Sequence, residues 1–355
     1  MSRFLLVDIG AGTMDILYYD NKKDLHYKAV VESPVRLIAK QASSTKGNLL
    51  IQGREMGGGP ISEVIKRRAE THEVVMTANA AMTIHHDLAR VKSFGIKIIE
   101  ESDIEGFKQD KSFTALTLGD LEISRIEQIV KSFGVPFEFD VAAFCVQDHG
   151  MAPKGMSHLD YRHNFFRARL DKNPYPEALL YKSDEVPKTM NRLRAVAKSA
   201  KLLPVDEIFL MDSGMAAILG ASLDSSARGE KKILVLDVAT SHTVGAAIED
   251  GELAGFFEYH TCDIDLKRLE GLLKDLSNKN IIHEDILSQG GHGAYIRKAV
   301  GFDNIKVIIA TGPKRQLVER SRLPIVFGAP LGDNMMTGTA GLLEALFRYS
   351  GITIV

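Results

Sequence analysis

The sequence contains no tryptophan and only two cysteines, Cys145 and Cys262, in 355 residues. Neither stands in a CxxC pair or another metal-ligand spacing. That excludes a cysteine-ligated iron–sulfur cluster, which needs more thiolates than this chain has. The two thiols read instead as reduced, buried groups in a cytosolic protein. Long apolar runs are also missing: none reaches the roughly 18–20 residues that span a bilayer. The apolar N-terminal stretch is broken by Asp8 and runs into glycines without a cleavage-like site, so it does not read as a signal peptide. Nor is there an excess of one charge. Lys+Arg total 44 against 46 Asp+Glu, for a net charge of -2. Bulk charge therefore gives no case for nucleic acid or an anionic membrane as partner. The expectation is a cytoplasmic protein that acts on neither.

What is present is ordinary for a globular chain with a substantial core: 45% hydrophobic and 25% charged residues. The length suggests two domains. Three strands are predicted at the start: "RFLLVDIG", "MDILYYD" and "LHYKAVVES". The same order recurs from Lys232: "KILVLDV", a loop of small residues, "TVGAAIE", a turn at Asp250–Gly251, and "ELAGFFEYHT". In both blocks the first strand ends in an aspartate, Asp8 and Asp237, before a small-residue loop. We read this as an internal duplication of one unit. Between and after the blocks the periodicity predicts helices. One begins at Pro60. Another, "DLEISRIEQIVKSFG", has Asp120 as N-cap and Gly134 past its end. Others are "VPKTMNRLRAVAKSAKLL", "DSGMAAILGASL", "DIDLKRLEGLLKDLSN" and a last one ending at Gly351. Alternating strands and helices argue an α/β fold.

The stretch "DIGAGTMDI" carries the chemistry. Gly10 and Gly12 match the start of a dinucleotide fingerprint, but position 15 is Asp15 and a strand follows where that motif needs a helix. A Walker loop ends in Gly-Lys-Ser/Thr, and this loop has no lysine. A β-hairpin turn wrapped around phosphate fits better. Its glycines would take positive φ and let the backbone approach the ligand, and successive N–H groups would form an anion site. Asp8 would hold the water shell of a Mg²⁺ bridging the phosphate oxygens, and Thr13 would donate a hydroxyl hydrogen bond.

"DIGAGTMDI" resembles the phosphate motifs of the actin, sugar-kinase and heat-shock-chaperone ATPase superfamily. That resemblance implies two duplicated actin-like (ribonuclease H-like) lobes with ATP–Mg²⁺ in the cleft between them. "DVATSHTVG" at Asp237–Gly245 resembles the second phosphate loop, and "DSGMAAILGA" the connecting helix. "VIIATGPKR" at Val307–Arg315 resembles the adenosine motif, and "GDNMMTGTAGLL" the closing helix. The implied lobes are residues 1–221, carrying an insertion at about 34–205, and residues 222–355. The implied nucleotide contacts are Gly10, Ala11, Gly12, Thr13 and Asp15; Thr240, Ser241 and Thr243; and Thr311, Gly312 and Pro313. Asp8 and Asp237 form the implied magnesium pair. Where related loops carry glycine, this chain has Ala239 and Ser241. The second loop is therefore expected to differ in shape, because a Cβ at positive φ costs about 1 kcal/mol or more. Pro313 likewise removes an N–H from the adenosine motif.

More narrowly, "MGGGP", "MTANAAMTIHHDLARVKSFGI" and "FFEYHT" resemble an uncharacterised branch of this superfamily, some members of which are labelled pyruvate formate-lyase activating enzyme. That label implies a radical-generating cluster on three clustered cysteines, which this sequence lacks.

Asp212, Asp148 and His242 are the candidates for orienting or deprotonating a nucleophile. Gly57–Gly59, ahead of Pro60, reads either as a second anion loop or as a plain turn. His85, His86, His149, His158 and His163 do not form a metal-ligand pattern. The leading functional expectation is an ATP–Mg²⁺-dependent actin-like ATPase whose lobe closure acts on a protein partner. The alternatives are a kinase for a small-molecule substrate and a non-catalytic nucleotide-binding or scaffold protein.

Overall fold

The structure, a computed structural model, describes residues 3–351. Its strands in chain order begin with β1 (Arg3–Ile9), β2 (Thr13–Asp20) and β3 (Leu25–Glu32). Next are β4 (Asn48–Gly53), β5 (Val74–Thr77), β6 (Lys97–Ile99) and β7 (Phe113–Leu118), and then β8 (Phe139–Val146), β9 (Leu180–Lys182) and β10 (Val205–Asp212). The second half contains β11 (Lys232–Val238), β12 (His242–Glu249), β13 (Glu252–His260), β14 (Gly293–Ile296), β15 (Ile308–Thr311) and β16 (Ile325–Phe327).

These strands form three sheets. One has the order β3-β2-β1-β8-β10-β9 and another the order β14-β13-β12-β11-β15-β16. Both contain the same five-stranded unit: an antiparallel meander of three strands whose first strand pairs in parallel with the next, which pairs in parallel with a fifth. The extra strands β9 and β14 sit at opposite edges of that unit. The duplicated actin-like architecture expected from the paired "strand–Asp–loop–strand" blocks is present in this topology. The apolar runs explain the placement of β1 and β11. Leu5–Val7 and Leu234–Leu236 are buried, as central strands covered on both faces require.

Each half closes with a helix after its last parallel strand: Ser213–Ser222 after β10 and Thr337–Ser350 after β16. The two helices cross at small residues. A Cβ at Gly220 would lie 1.8 Å from the Thr337 carbonyl oxygen, and one at Gly341 would lie 1.9 Å from that of Ala216. Only glycine allows this approach, which ties the two halves through their backbones. Gly351 then ends the last helix in the left-handed conformation, at φ 69°.

The third sheet, β6-β5-β4-β7, is parallel throughout. It was not anticipated within the insertion, where the sequence predicts helices. Its strands are three to six residues long, too short for a period to show against flanking helices. A second correction concerns Asp120. The helix Ile123–Ser132 begins after Glu122, so Asp120 is not its N-cap. The Asp120 carboxylate instead accepts two hydrogen bonds from Arg192, at 2.8 and 2.9 Å, and one from the Gly57 N–H. Among the described residues no helix is long and apolar enough to cross a membrane.

Candidate nucleotide cleft

The two loops that leave β1 and β11 face each other across a cleft of about 610 Å³. They are built alike. Gly10 N–H bonds the Thr13 carbonyl at 3.0 Å, and Ala239 N–H bonds the His242 carbonyl at 3.1 Å. The residue after each meander supports its loop in the same way. Ser33 N–H bonds Gly12 O at 3.1 Å and Thr261 N–H bonds Ser241 O at 2.8 Å. Ser33 Oγ donates to Gly10 O at 2.6 Å and Thr261 Oγ1 to Ala239 O at 2.8 Å.

This geometry corrects the expectation about glycine. Neither Gly10 nor Gly12 has a positive φ, and neither do Ala239 or Ser241. The side chains of the second loop therefore cost no backbone strain, and that loop keeps the shape of the first. The glycine that matters is Gly12, where a Cβ would lie 2.5 Å from Thr240 Oγ1. The first loop is bare where the second one meets it.

Beneath the loops lie acidic side chains with raised pKa values. Burial, together with the neighbouring Asp237, pushes Asp8 up to about 7 against a hydrogen bond from the Cys145 thiol. Burial and the charge of Asp8 push Asp15 up to about 8. Asp15 stands directly opposite Asp8 across β1 and β2, and its Oδ1 is buried without a partner. Burial pushes Asp237 to about 6, offset by the Thr311 hydroxyl that donates to it at 3.0 Å. Carboxylates that hold each other's charge down, one with an orphaned oxygen, make an oxygen donor set suited to a hard divalent cation such as Mg²⁺.

Most of the predicted contact residues line this cleft: Asp8, Gly10, Ala11, Gly12, Thr13 and Asp15 on one side, with Asp237, Thr240, Ser241 and His242 on the other. Gly312 and Pro313 also line it. Gly312 has φ +86°, and a Cβ there would meet the Val238 carbonyl oxygen at 2.6 Å, so this turn needs its glycine. Lys314 N–H bonds that same carbonyl at 2.9 Å, joining the turn to the second loop. Thr243 and Thr311 do not line the cleft. Both are buried behind it, Thr243 bonded to Thr261 and Thr311 to Asp237. The helices Ser213–Ser222 and Thr337–Ser350 present Gly214 and Gly338 to the cleft at their first turns. A Cβ at Gly338 would lie 2.0 Å from Asp8 Oδ2.

The three candidates for orienting a nucleophile occupy different environments. Asp212 lies outside the cleft lining. It caps the helix Ser213–Ser222 by accepting from Met215 N–H and pairs with Arg162 at 2.7 Å. Asp148 lines the cleft, but its two oxygens are engaged by the N–H groups of Gly150 and Leu193, at 2.8 and 2.9 Å. Burial raises it to about 6. His242 lines the cleft with Nε2 buried and unpartnered, and burial pushes its pKa down to about 4. Gly57–Gly59 lie on the cleft wall, where Gly57 packs against Arg192.

The sequence reading passed over Glu258, His260, His292 and Arg162. Glu258 is buried, accepts from Arg162 and Gln147, and sits near His242 and His292; burial raises its pKa, but above all the Arg162 guanidinium holds it down at about 2. Arg162 thus joins Asp212 of the first half to Glu258 of the second. The spacing Glu258-x-His260 on a strand places both on one face, which was a usable signal. The approach of His292 and Arg162 was not visible in sequence.

Comparisons with known proteins fall into three kinds. No curated protein matches the chain. Solved structures aligned with it include an actin-like ATPase-fold protein of unknown function from Bacteroides thetaiotaomicron, at 9% identity and TM-score 0.38, covering 98% of this chain and 95% of that one. They also include apo psk41 ParM, at 13% and 0.33 with 98% of each chain covered, and Spiroplasma citri MreB5 bound to ADP, at 10% and 0.32 with 98% and 96% covered. The fold assignment rests on the duplicated strand order. A family profile described as "Putative pyruvate format-lyase activating enzyme (DUF1786)" matches residues 56–317. The residues present do not fit an iron–sulfur cluster: there are only two cysteines, Cys145 buried against Asp8 and Cys262 exposed. The match covers well over half of the sequence, and the chain belongs to this family.

Proposed function

We propose that the chain binds ATP–Mg²⁺ in this cleft and hydrolyses it slowly, with closure of residues 1–221 on 222–355 as the output to a protein partner. The observation that supports this most is the pair of like-built hairpins facing each other, each following a strand-end aspartate. Backbone N–H groups of Ala11 and Gly12 and the Thr13 hydroxyl would receive phosphate from one side. Thr240 and Ser241 would supply hydroxyl donors from the other. Asp8 and Asp237 would hold Mg²⁺, whose charge offsets that of the phosphates. Thr311 keeps Asp237 oriented, and the Gly312–Pro313 turn would border the adenosine. Phosphoryl transfer asks mainly for such positioned charge.

A kinase needs a free general base near the acceptor. Asp148 has both oxygens bonded to backbone and Asp212 is paired with Arg162, so slow hydrolysis is the better supported reading.

Calorimetry with ATP and Mg²⁺ tests the proposal. The wild type is expected to bind and to release phosphate without an added substrate. Asp8→Ala is expected to abolish the Mg²⁺-dependent part of binding. No binding by the wild type would overturn the reading, and binding without phosphate release would replace it with the scaffold alternative. Unchanged binding by Asp8→Ala would remove the assignment of the first loop.

A further inference from the structure

Beside the oxygen-lined floor of the cleft stands a group of nitrogen donors that phosphate binding does not use. His242 and His260 lie directly opposite each other across β12 and β13. His292 precedes β14 and is fixed by its N–H bond to the Glu258 carbonyl, at 2.8 Å. One ring nitrogen from each of the three lies within 4.8 Å of the others. Two paired strands and the residue leading into a third therefore bring three imidazoles together.

The hydrogen bonding there is incomplete. His260 Nε2 and His292 Nε2 face each other at 2.9 Å and can share one proton. The His242 ring centre is 4.6 Å from those of both His260 and His292, yet its Nε2 has no partner. His292 Nδ1 is also buried without a bond. Buried polar atoms are nearly always satisfied, so an orphaned His242 Nε2 beside two further imidazoles calls for a ligand. A tetrahedral ion with bonds of about 2.0–2.1 Å places its ligand nitrogens about 3.3 Å apart, a separation that small ring movements reach from here. The surroundings suit a cation: the Glu258 carboxylate lies 3.9 Å from His292 Nδ1 and is anchored by Arg162 and Gln147.

We propose that His242, His260 and His292 bind a divalent transition metal of the zinc class, with its fourth position open to the cleft. Three imidazoles plus an open position form a ligand set that binds and activates water or a substrate oxygen. His149, from the first half, has its ring 5.5 Å from that of His292 and an unpartnered Nδ1, so it borders the open side. The oxygen donors of Asp8 and Asp237 suit Mg²⁺ while the imidazoles suit zinc, so the cleft would carry two cation sites of different softness. On this reading His242 is a ligand and not a free base. The inference does not depend on nucleotide binding.

The test uses the full, untagged chain, stripped with a chelator and titrated with Co²⁺ alone by calorimetry and visible absorption. One equivalent is expected to bind with the intense visible bands of a tetrahedral site, and Zn²⁺ is expected to displace it. His260→Ala and His292→Gln should each weaken Co²⁺ binding at least tenfold. Should one fail to fold by circular dichroism, the other carries the test. His86→Ala should retain Co²⁺ binding, because His86 does not belong to the site. No Co²⁺ binding by the wild type, or full binding by a folded His260→Ala or His292→Gln, would overturn the inference. So would loss of binding in His86→Ala alone. ATP–Mg²⁺ binding is measured separately on the same samples, so failure of one reading leaves the other standing.

Discussion

The two halves share a framework and differ where they meet. Each has the same five-stranded order, the same closing helix and the same supported hairpin after a strand-end aspartate. The first hairpin is glycine-rich, whereas the second carries Ala239, Thr240, Ser241 and His242. Since no residue of either turn has a positive φ, the difference is not one of backbone conformation. It is one of approach: Gly12 is bare because Thr240 occupies the space its Cβ would take. Two copies of one loop can face each other closely only if one of them gives up its side chains. The other is then free to carry the chemistry, and here it carries hydroxyls and an imidazole.

The largest effect expected from disturbing this pairing is at the crossing of the closing helices. Gly220→Val places atoms inside the Thr337 carbonyl and should cost about 3 kcal/mol or more in urea unfolding, at the upper end for overpacking. Gly271→Ala, a helical glycine with open space around it, should be neutral or slightly stabilising. Equal midpoints for the two variants would show that the halves are not locked there.

Next comes the asymmetry between the first turns of those helices. A Cβ at Gly338 would lie 2.0 Å from Asp8 Oδ2, whereas one at its counterpart Gly214 would lie 3.1 Å from Asp212 Oδ1. Gly338→Ala should displace Asp8 and weaken ATP–Mg²⁺ binding about tenfold, or ~1.4 kcal/mol. Gly214→Ala should stay within about threefold, or ~0.7 kcal/mol. A reversed order would place the cation on the other side.

A smaller effect is expected at the meeting of the loops. Gly12→Ala should cost roughly fivefold in nucleotide affinity, about 1 kcal/mol. Thr240→Ala in the same chain should recover part of that loss, by removing the atoms the new Cβ meets. Strict additivity of the two changes would mean the loops do not touch in solution.

A further test lies in the pH dependence. Asp15 and Asp237 have folded pKa values of about 8 and about 6, against 3.8 ordinarily. A raised acid holds its proton better in the folded form. Its contribution is therefore fully present below about pH 4 and is lost as pH rises through the folded value. The stability gained by Asp15→Asn over wild type should thus grow between pH 5 and pH 8. The gain from Asp237→Asn should level off near pH 6. Reading these differences between variants cancels the opposing contribution of the buried histidines. Parallel curves for both variants would show that the two acids are not distinguished by their surroundings.

Much of the frame was legible in the sequence. The strand pairs of both halves show as apolar runs ending in Asp8 and Asp237, and Asp250–Gly251 marks the hairpin turn between β12 and β13. The small-residue segment at 213–222 was legible as a helix in close contact with a neighbour, because nothing else explains so many small side chains. The third sheet was not legible, because β5 and β6 are four and three residues long. The capping role assigned to Asp120 failed because Arg192, 72 residues away, takes its carboxylate. Asp212 likewise looked available in sequence and is committed to Arg162.

By itself the sequence determined the duplicated framework, because local hydrophobic pattern and turn residues act over a few neighbouring positions. Only the tertiary structure decided which groups are free. It paired off Asp212 and Asp148, showed that the second loop keeps its shape without glycine, and drew His242, His260 and His292 together from separate segments. The reason is physical. Burial and charge at a site depend on what packs there from distant parts of the chain, and neither composition nor spacing along one segment carries that information.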